Sequence, residues 1–106
     1  MRTLMLLLLI LPAIAFAEDD GEEYLRLMED PRTRDVALVY LDNVTGEWDG
    51  RLFCIARGRS NAPDDARSAA FTAVKTYLEQ HPQDRYRPRR YLIIQGLRAA
   101  FPCPAS

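Results

Sequence analysis

The two cysteines, Cys54 and Cys103, constrain the fold of this chain more than any other feature, because they are its only cysteines and nearly half of the sequence lies between them. A disulfide between them would close a loop of roughly 50 residues, which the chain-entropy model predicts to stabilise the fold by about 4 kcal/mol. Whole domains are stable by only ~5–15 kcal/mol, so this contribution would be large. The sequence has no Cys-x-x-Cys motif, which favours a structural role over a redox role.

The N-terminus determines whether the cysteines can pair. It has a positive start, an apolar run over 4–14 and an Ala-Phe-Ala cleavage pattern at 15–17, which together predict a cleaved signal peptide over 1–17. An uncleaved membrane anchor is the alternative, but the run is shorter than the roughly 20 apolar residues of a membrane span. We therefore expect one exported domain over 18–106, without a membrane span, in an oxidising compartment where the cysteines form a disulfide.

Charge is distributed unevenly along this domain. Residues 18–49 contain eleven acidic residues and three arginines, whereas 50–106 contain ten basic and four acidic residues. Either the two halves attract each other, or an arginine-rich face is offered to a partner. Nucleic acid is not an expected partner, because the chain is predicted to be exported and its net charge is −1.

Apolar spacing predicts a compact all-α domain of four or five helices. A short helix over 22–28 comes first. A second helix is predicted to start with Asp30 as N-cap and Pro31 at the first helical position. Its apolar residues recur at helical spacing, as in a core-facing stripe. The stripe consists of Val36, Tyr40, Val44 and Trp48, with Val39 and Leu41 beside them.

Two further helices are predicted in the second half. One covers 66–80 and is ended by Pro82, which forces His81 out of helical geometry. The other begins at Pro88 and contains Gly96, which costs about 1 kcal/mol relative to Ala unless a neighbouring helix needs the space. The inward residues are Ala70, Phe71, Val74, Tyr77 and Leu78 in the first helix, and Ile93, Ile94, Leu97 and Phe101 in the second.

The sequence offers no catalytic constellation, so we expect no enzyme activity, no cofactor and no metal site. His81 is the only histidine, and its place at a helix end predicts a capping or structural role. Metal sites need several ligands at tight spacing, and none are grouped in this way. Ser60 and Ser68 have no evident partner base.

Several motifs resemble a known family. Phe53-Cys54 is followed by Tyr77-Leu78-x-x-His81-Pro82, and the last helix ends in Phe-Pro-Cys at 101–103. This order, after a signal peptide, resembles the Rap/Tai family of type VI secretion immunity proteins over residues 36–103. The resemblance implies a small helical periplasmic protein, often a homodimer, that binds a peptidoglycan-cleaving amidase and occludes its cleft. Two alternatives remain: a periplasmic acid-stress chaperone of the Hde type, and a helical binding module with an unknown partner.

The partner-binding surface is predicted at the charged loop between the last two helices. Flanking apolar helices leave this loop facing solvent, and Pro82, Pro88 and the bridge at Cys103 are expected to limit its conformations. A tyrosine between arginines is also a mixture enriched at interface hot spots. The predicted residues are Gln83, Asp84, Arg85, Tyr86 and Arg87, with help from Arg57 and Arg59.

Overall fold

A computed structural model describes residues 19–55 and 63–104 of the chain. The described part contains four α-helices and one 3-10 turn, and no β-strand, which confirms the all-α prediction. The predicted signal peptide, Arg57 and Arg59 lie outside the described residues. The helices are α1 (Gly21–Glu29), α2 (Arg34–Trp48), α3 (Pro63–Gln80) and α4 (Arg89–Ala100), and the 3-10 turn Pro82–Asp84 precedes α4.

Helix α1 forms as its sequence predicts. The Asp20 carboxylate caps it by accepting a hydrogen bond of 2.9 Å from the backbone N–H of Glu23. Its apolar side, which consists of Tyr24, Leu25 and Met28, is fully buried.

Helix α2 begins at Arg34, so the predicted start at Asp30-Pro31 is wrong. Asp30 instead ends α1, since its N–H bonds to the carbonyl oxygen of Arg26. The Asp30 carboxylate accepts from the backbone N–H of Arg32 at 2.9 Å. Asp30 therefore ends α1 through its backbone and shapes the turn to α2 through its carboxylate, and it does not open a helix.

The core-facing stripe of α2 is confirmed at Leu41 and Val44 but is wrong at Val36 and Val39. Val36 and Val39 are 46% and 55% exposed, whereas Ala37, Leu41 and Val44 are buried. The small side chain of Ala37 lies where Tyr24 approaches, and the Tyr24 hydroxyl donates a hydrogen bond of 2.7 Å to the Ala37 carbonyl oxygen. Close approach of α1 thus determines which stripe of α2 is buried. Tyr40 and Trp48 are half-buried and pack against the core.

Helices α3 and α4 pack closely, as the apolar spacing predicts. Ala70, Val74 and Leu78 are buried on α3. A Cβ atom at Gly96 of α4 would lie 3.1 Å from the Tyr77 Cβ and 3.3 Å from the Val74 Cα, so the missing side chain lets the two backbones approach. Leu92, Ile93 and Leu97 of α4 are buried, while Ile94 and Phe101 are partly buried against the same core.

The disulfide joins Cys54 to Cys103, as the sequence predicts. The chain turns after α2 at Gly50, whose φ of 89° favours glycine. Phe53 then enters the core, and the Cys54 N–H bonds to the Phe101 carbonyl oxygen at 2.7 Å. The bridge therefore fastens the segment after α2 to the end of α4.

Ion pairs between elements explain the uneven charge distribution. In each of four such pairs, an acid from the first half of the domain meets an arginine from the second half. This arrangement supports the interpretation that the halves attract each other, although each exposed pair contributes only about 0–1 kcal/mol. The pairs are Asp19–Arg89, Glu22–Arg85, Asp42–Arg67 and Glu47–Arg90.

The buried phenol of Tyr24 predicts a loss of stability at alkaline pH. Burial raises its pKa well above the ordinary value of 10.0, and the nearby charge of Arg89 only partly opposes this. The folded state therefore keeps the proton at pH values where the unfolded chain releases it. Above pH ~10, each further pH unit should remove up to about 1.4 kcal/mol of unfolding free energy through this group.

Tyr24→Phe tests this prediction in urea unfolding at pH 8 and pH 11. At pH 8 the variant should be about 1 kcal/mol less stable, because it lacks the hydrogen bond to Ala37. Between the two pH values it should lose less stability than the parent protein. Equal losses in both proteins would contradict the assigned role of Tyr24.

Candidate protein-binding surface

The loop predicted to bind a partner has a defined backbone conformation. Its first part is the 3-10 turn Pro82–Asp84. The Asp84 N–H bonds to the His81 carbonyl oxygen, and the Arg87 N–H bonds to that of Asp84, each at 3.0 Å. Pro88 then provides the N-cap position of α4. Two successive turns between prolines therefore fix the path of the chain.

The start of the domain holds this loop from the other side. The Gly21 N–H bonds to the Arg87 carbonyl oxygen and the Glu22 N–H to that of Arg85, both at 3.0 Å. The Arg89 N–H bonds to the Asp19 carbonyl oxygen at 2.8 Å. The first two bonds satisfy N–H groups that the first turn of α1 would otherwise leave without partners, and the third does the same for the first turn of α4. We call residues 19–22 the N-terminal strap.

The strap, and not the disulfide, restrains the loop. The loop lies before α4, and Cys103 lies after α4. The loop and Cys103 are therefore at opposite ends of a helix of 12 residues, which is roughly 18 Å long. The expectation that the bridge at Cys103 would limit the loop is therefore wrong.

Gly21 predicts the effect of disturbing the strap. A Cβ atom there would lie 2.3 Å from the Leu92 Cδ1 and 3.1 Å from the Arg85 carbonyl oxygen. Gly21→Ala should therefore lower the unfolding free energy by about 1–3 kcal/mol, the usual cost of overpacking. Gly46→Ala is the matched control, because nothing lies within 4 Å of its added Cβ. Equal stability of the two variants in urea unfolding would contradict the tight approach.

Two tyrosines and an arginine form the outer surface of the loop. Tyr86 is 71% exposed, and Tyr91, on the first turn of α4, is 43% exposed. The guanidinium carbon of Arg87 lies 5.6 Å from the ring centre of Tyr86 and 5.3 Å from that of Tyr91. Both distances are within the range of cation–π attraction. We call Tyr86, Arg87 and Tyr91 the Tyr-Arg-Tyr cluster.

Tyr77 and His81 form the inner border of this cluster. Their rings stack with centres 4.0 Å apart. The His81 Nδ1 lies 2.8 Å from the Tyr77 carbonyl oxygen, so an Nδ1–H there donates to the end of α3, which fits the predicted capping role. Burial raises the pKa of Tyr77, with smaller contributions from Asp84 and Tyr91, while Arg87 opposes the shift. These groups are therefore close enough to influence one another.

The other predicted loop residues have different roles. Gln83 is exposed. The Asp84 carboxylate lies 3.8 Å from the Arg87 Nε, and Arg85 points back to α1, with its Nε 3.6 Å from a Glu22 carboxylate oxygen. Sequence reasoning missed Tyr91, although its spacing of four residues from Arg87 was the available signal.

A second surface feature lies between α2 and α3. It is an open cleft of about 370 Å³, lined by five side chains, and the Arg34 guanidinium covers the Phe71 ring at 5.4 Å. In this cleft the Arg67 guanidinium donates two hydrogen bonds to the Asp42 carboxylate, at 3.1 and 2.9 Å. The lining residues are Arg34, Leu38, Arg67, Ser68 and Phe71.

Within residues 19–55 and 63–104, no three His, Cys, Asp or Glu side chains are grouped to hold a metal ion. No helix among these residues is both long and apolar enough to cross a membrane. Comparisons of the chain with protein-family models, curated proteins and solved structures gave no match.

Proposed function

We propose that this protein is a periplasmic immunity protein that binds a peptidoglycan-cleaving type VI secretion amidase and occludes its cleft. The observation that carries this proposal is the Tyr-Arg-Tyr cluster on a loop held by the N-terminal strap. A loop already fixed in one conformation loses little entropy on binding. Tyrosine and arginine are also among the residues that contribute most to interface hot spots.

The resemblance to the Rap/Tai family supplies the class of partner. The residues that carry this resemblance have clear structural places. Tyr77, His81 and Pro82 border the Tyr-Arg-Tyr cluster, and Cys54 and Cys103 form the disulfide. The motifs therefore coincide with the loop base and with the bridge, as expected for a scaffold that presents a binding loop.

Co-expression in a bacterial host tests the proposal. The probe is a type VI secretion amidase, sought first among the neighbouring genes and exported to the periplasm of a host that it lyses. Production of the full chain with its N-terminus should restore viability, and the same chain without residues 1–17 should not. Lysis that continues when the protein is exported and stable would contradict an immunity function.

A second function, acid-stress chaperone, is favoured by one observation. The four ion pairs between elements that lie within the described residues use exposed or half-exposed carboxylates. Below about pH 3 most carboxylates are neutral, so these pairs would be lost and the arginines would repel one another. Suppression of aggregation of an unfolded client at pH 2–3, but not at pH 7, would favour the chaperone over the immunity protein.

A further inference from the structure

We infer that Arg87 receives a single carboxylate from the protein partner, held between the rings of Tyr86 and Tyr91. This inference rests on the proposed function for the partner's identity, but the chemistry of the contact comes from the cluster. The Tyr-Arg-Tyr cluster fits an aspartate or glutamate side chain of the partner that is flanked by apolar groups.

Among the described residues, no carboxylate is hydrogen-bonded to Arg87. Its Nε lies 3.8 Å from the Asp84 carboxylate, beyond hydrogen-bond distance. By contrast, Arg67 and Arg89 donate hydrogen bonds of about 3.0 Å to Asp42 and Asp19. The donors of Arg87 are therefore still available to a partner.

The two rings orient these donors in advance. A guanidinium placed over aromatic faces keeps its N–H groups directed outward in its own plane, and that planar fork matches the two oxygens of a carboxylate. A lysine at this position would lack the planar fork.

The surrounding charges indicate one carboxylate, not an acidic patch. Three arginines near the cluster already face acids: Arg85 faces Glu22, Arg89 faces Asp19 and Arg90 faces Glu47. Arg87 itself has Asp84 nearby. The charges of the loop region therefore nearly balance, so attraction is short-ranged and directional, and it does not require an acidic partner overall.

Affinity measurements against an amidase that the protein neutralises in the co-expression test examine the contact. Arg87→Ala should weaken binding at least tenfold, and Arg87→Lys should weaken it nearly as much because the planar fork is lost. Arg32→Ala is the matched control, since Arg32 is also exposed and also pairs with a nearby acid, Asp30. It should change the affinity less than twofold. A change below twofold for Arg87→Ala, with unchanged melting temperature, would overturn the inference and leave the proposed function standing.

A peptide probe makes the test independent of the amidase. Two capped pentapeptides, Leu-Ala-Glu-Ala-Leu and its glutamine counterpart, are titrated into the isotope-labelled mature protein at millimolar concentration and followed by amide NMR shifts. The glutamate peptide should shift residues 86–91, the glutamine peptide should shift them at most a third as much, and Arg87→Ala should abolish the difference. If this holds while the amidase fails to bind, the proposed function is wrong and the carboxylate contact is supported. Equal shifts from both peptides would overturn the contact.

Discussion

Replacing Cys54 and Cys103 together by serine is expected to lower the unfolding free energy by about 2–5 kcal/mol. The bond joins residues 49 positions apart, and cross-linking a loop of that length restricts the unfolded chain by about 4 kcal/mol in the entropy model. The folded state also depends on the bond, because it fastens the segment that carries buried Phe53 to the end of α4. In a small domain, this loss is a large fraction of the total stability.

Urea unfolding of the double variant measures this effect without complications from a single free thiol. The parent protein treated with a reductant provides the matched control, since it has the same sequence and lacks the bond. Both should unfold at a clearly lower urea concentration than the oxidised protein. If the double variant stays within about 1 kcal/mol of the oxidised parent, the bridge is not a main stabilising feature.

The largest effect on binding is expected from Tyr86→Ala combined with Arg87→Ala. This change removes both the most exposed aromatic ring and the guanidinium beside it. A binding hot spot contributes at least ~2 kcal/mol, so if the pair forms one, its loss should lower the affinity for the amidase by more than about 30-fold. Stability should hardly change, because neither side chain is buried.

A second double variant tests whether binding requires the Tyr-Arg-Tyr cluster or only exposed apolar surface of any kind. Val36→Ala with Val39→Ala removes exposed apolar groups from α2, away from the loop. It should leave affinity for the amidase within about twofold. Loss of affinity in this control, with unchanged binding by the Tyr86 and Arg87 variant, would move the interface to α2.

The helices and the disulfide could be predicted from sequence because their signals are local or exclusive. A proline inside a helical pattern interrupts the helix, as Pro82 does after α3, and two cysteines have one possible pairing within a chain. The buried stripe of α2 could not be predicted in the same way. Val36 and Ala37 are adjacent, and each could begin a stripe of apolar residues at helical spacing. The hydrogen bond from Tyr24 to Ala37 places α1 against the stripe that begins at the smaller residue, Ala37.

The binding surface was only partly predictable for a similar reason. An exposed loop with Tyr86 and Arg87 follows from the prolines and the polar composition. The N-terminal strap does not, because its bonds join backbone atoms of residues more than 60 positions apart, and such bonds carry no side-chain signature. The charge asymmetry predicted attraction between the halves, but it could not indicate which acids pair with which arginines.

Titration of the amidase with the purified mature protein tests the central claim most directly. Peptidoglycan cleavage by a fixed amount of enzyme is measured as the protein is added, beside a reaction that contains the protein alone. The account predicts that the protein cleaves nothing by itself and that amidase activity disappears near one equivalent, whereas the Tyr86 and Arg87 double variant needs a large excess. Full amidase activity at a tenfold excess of the folded, oxidised protein would contradict it.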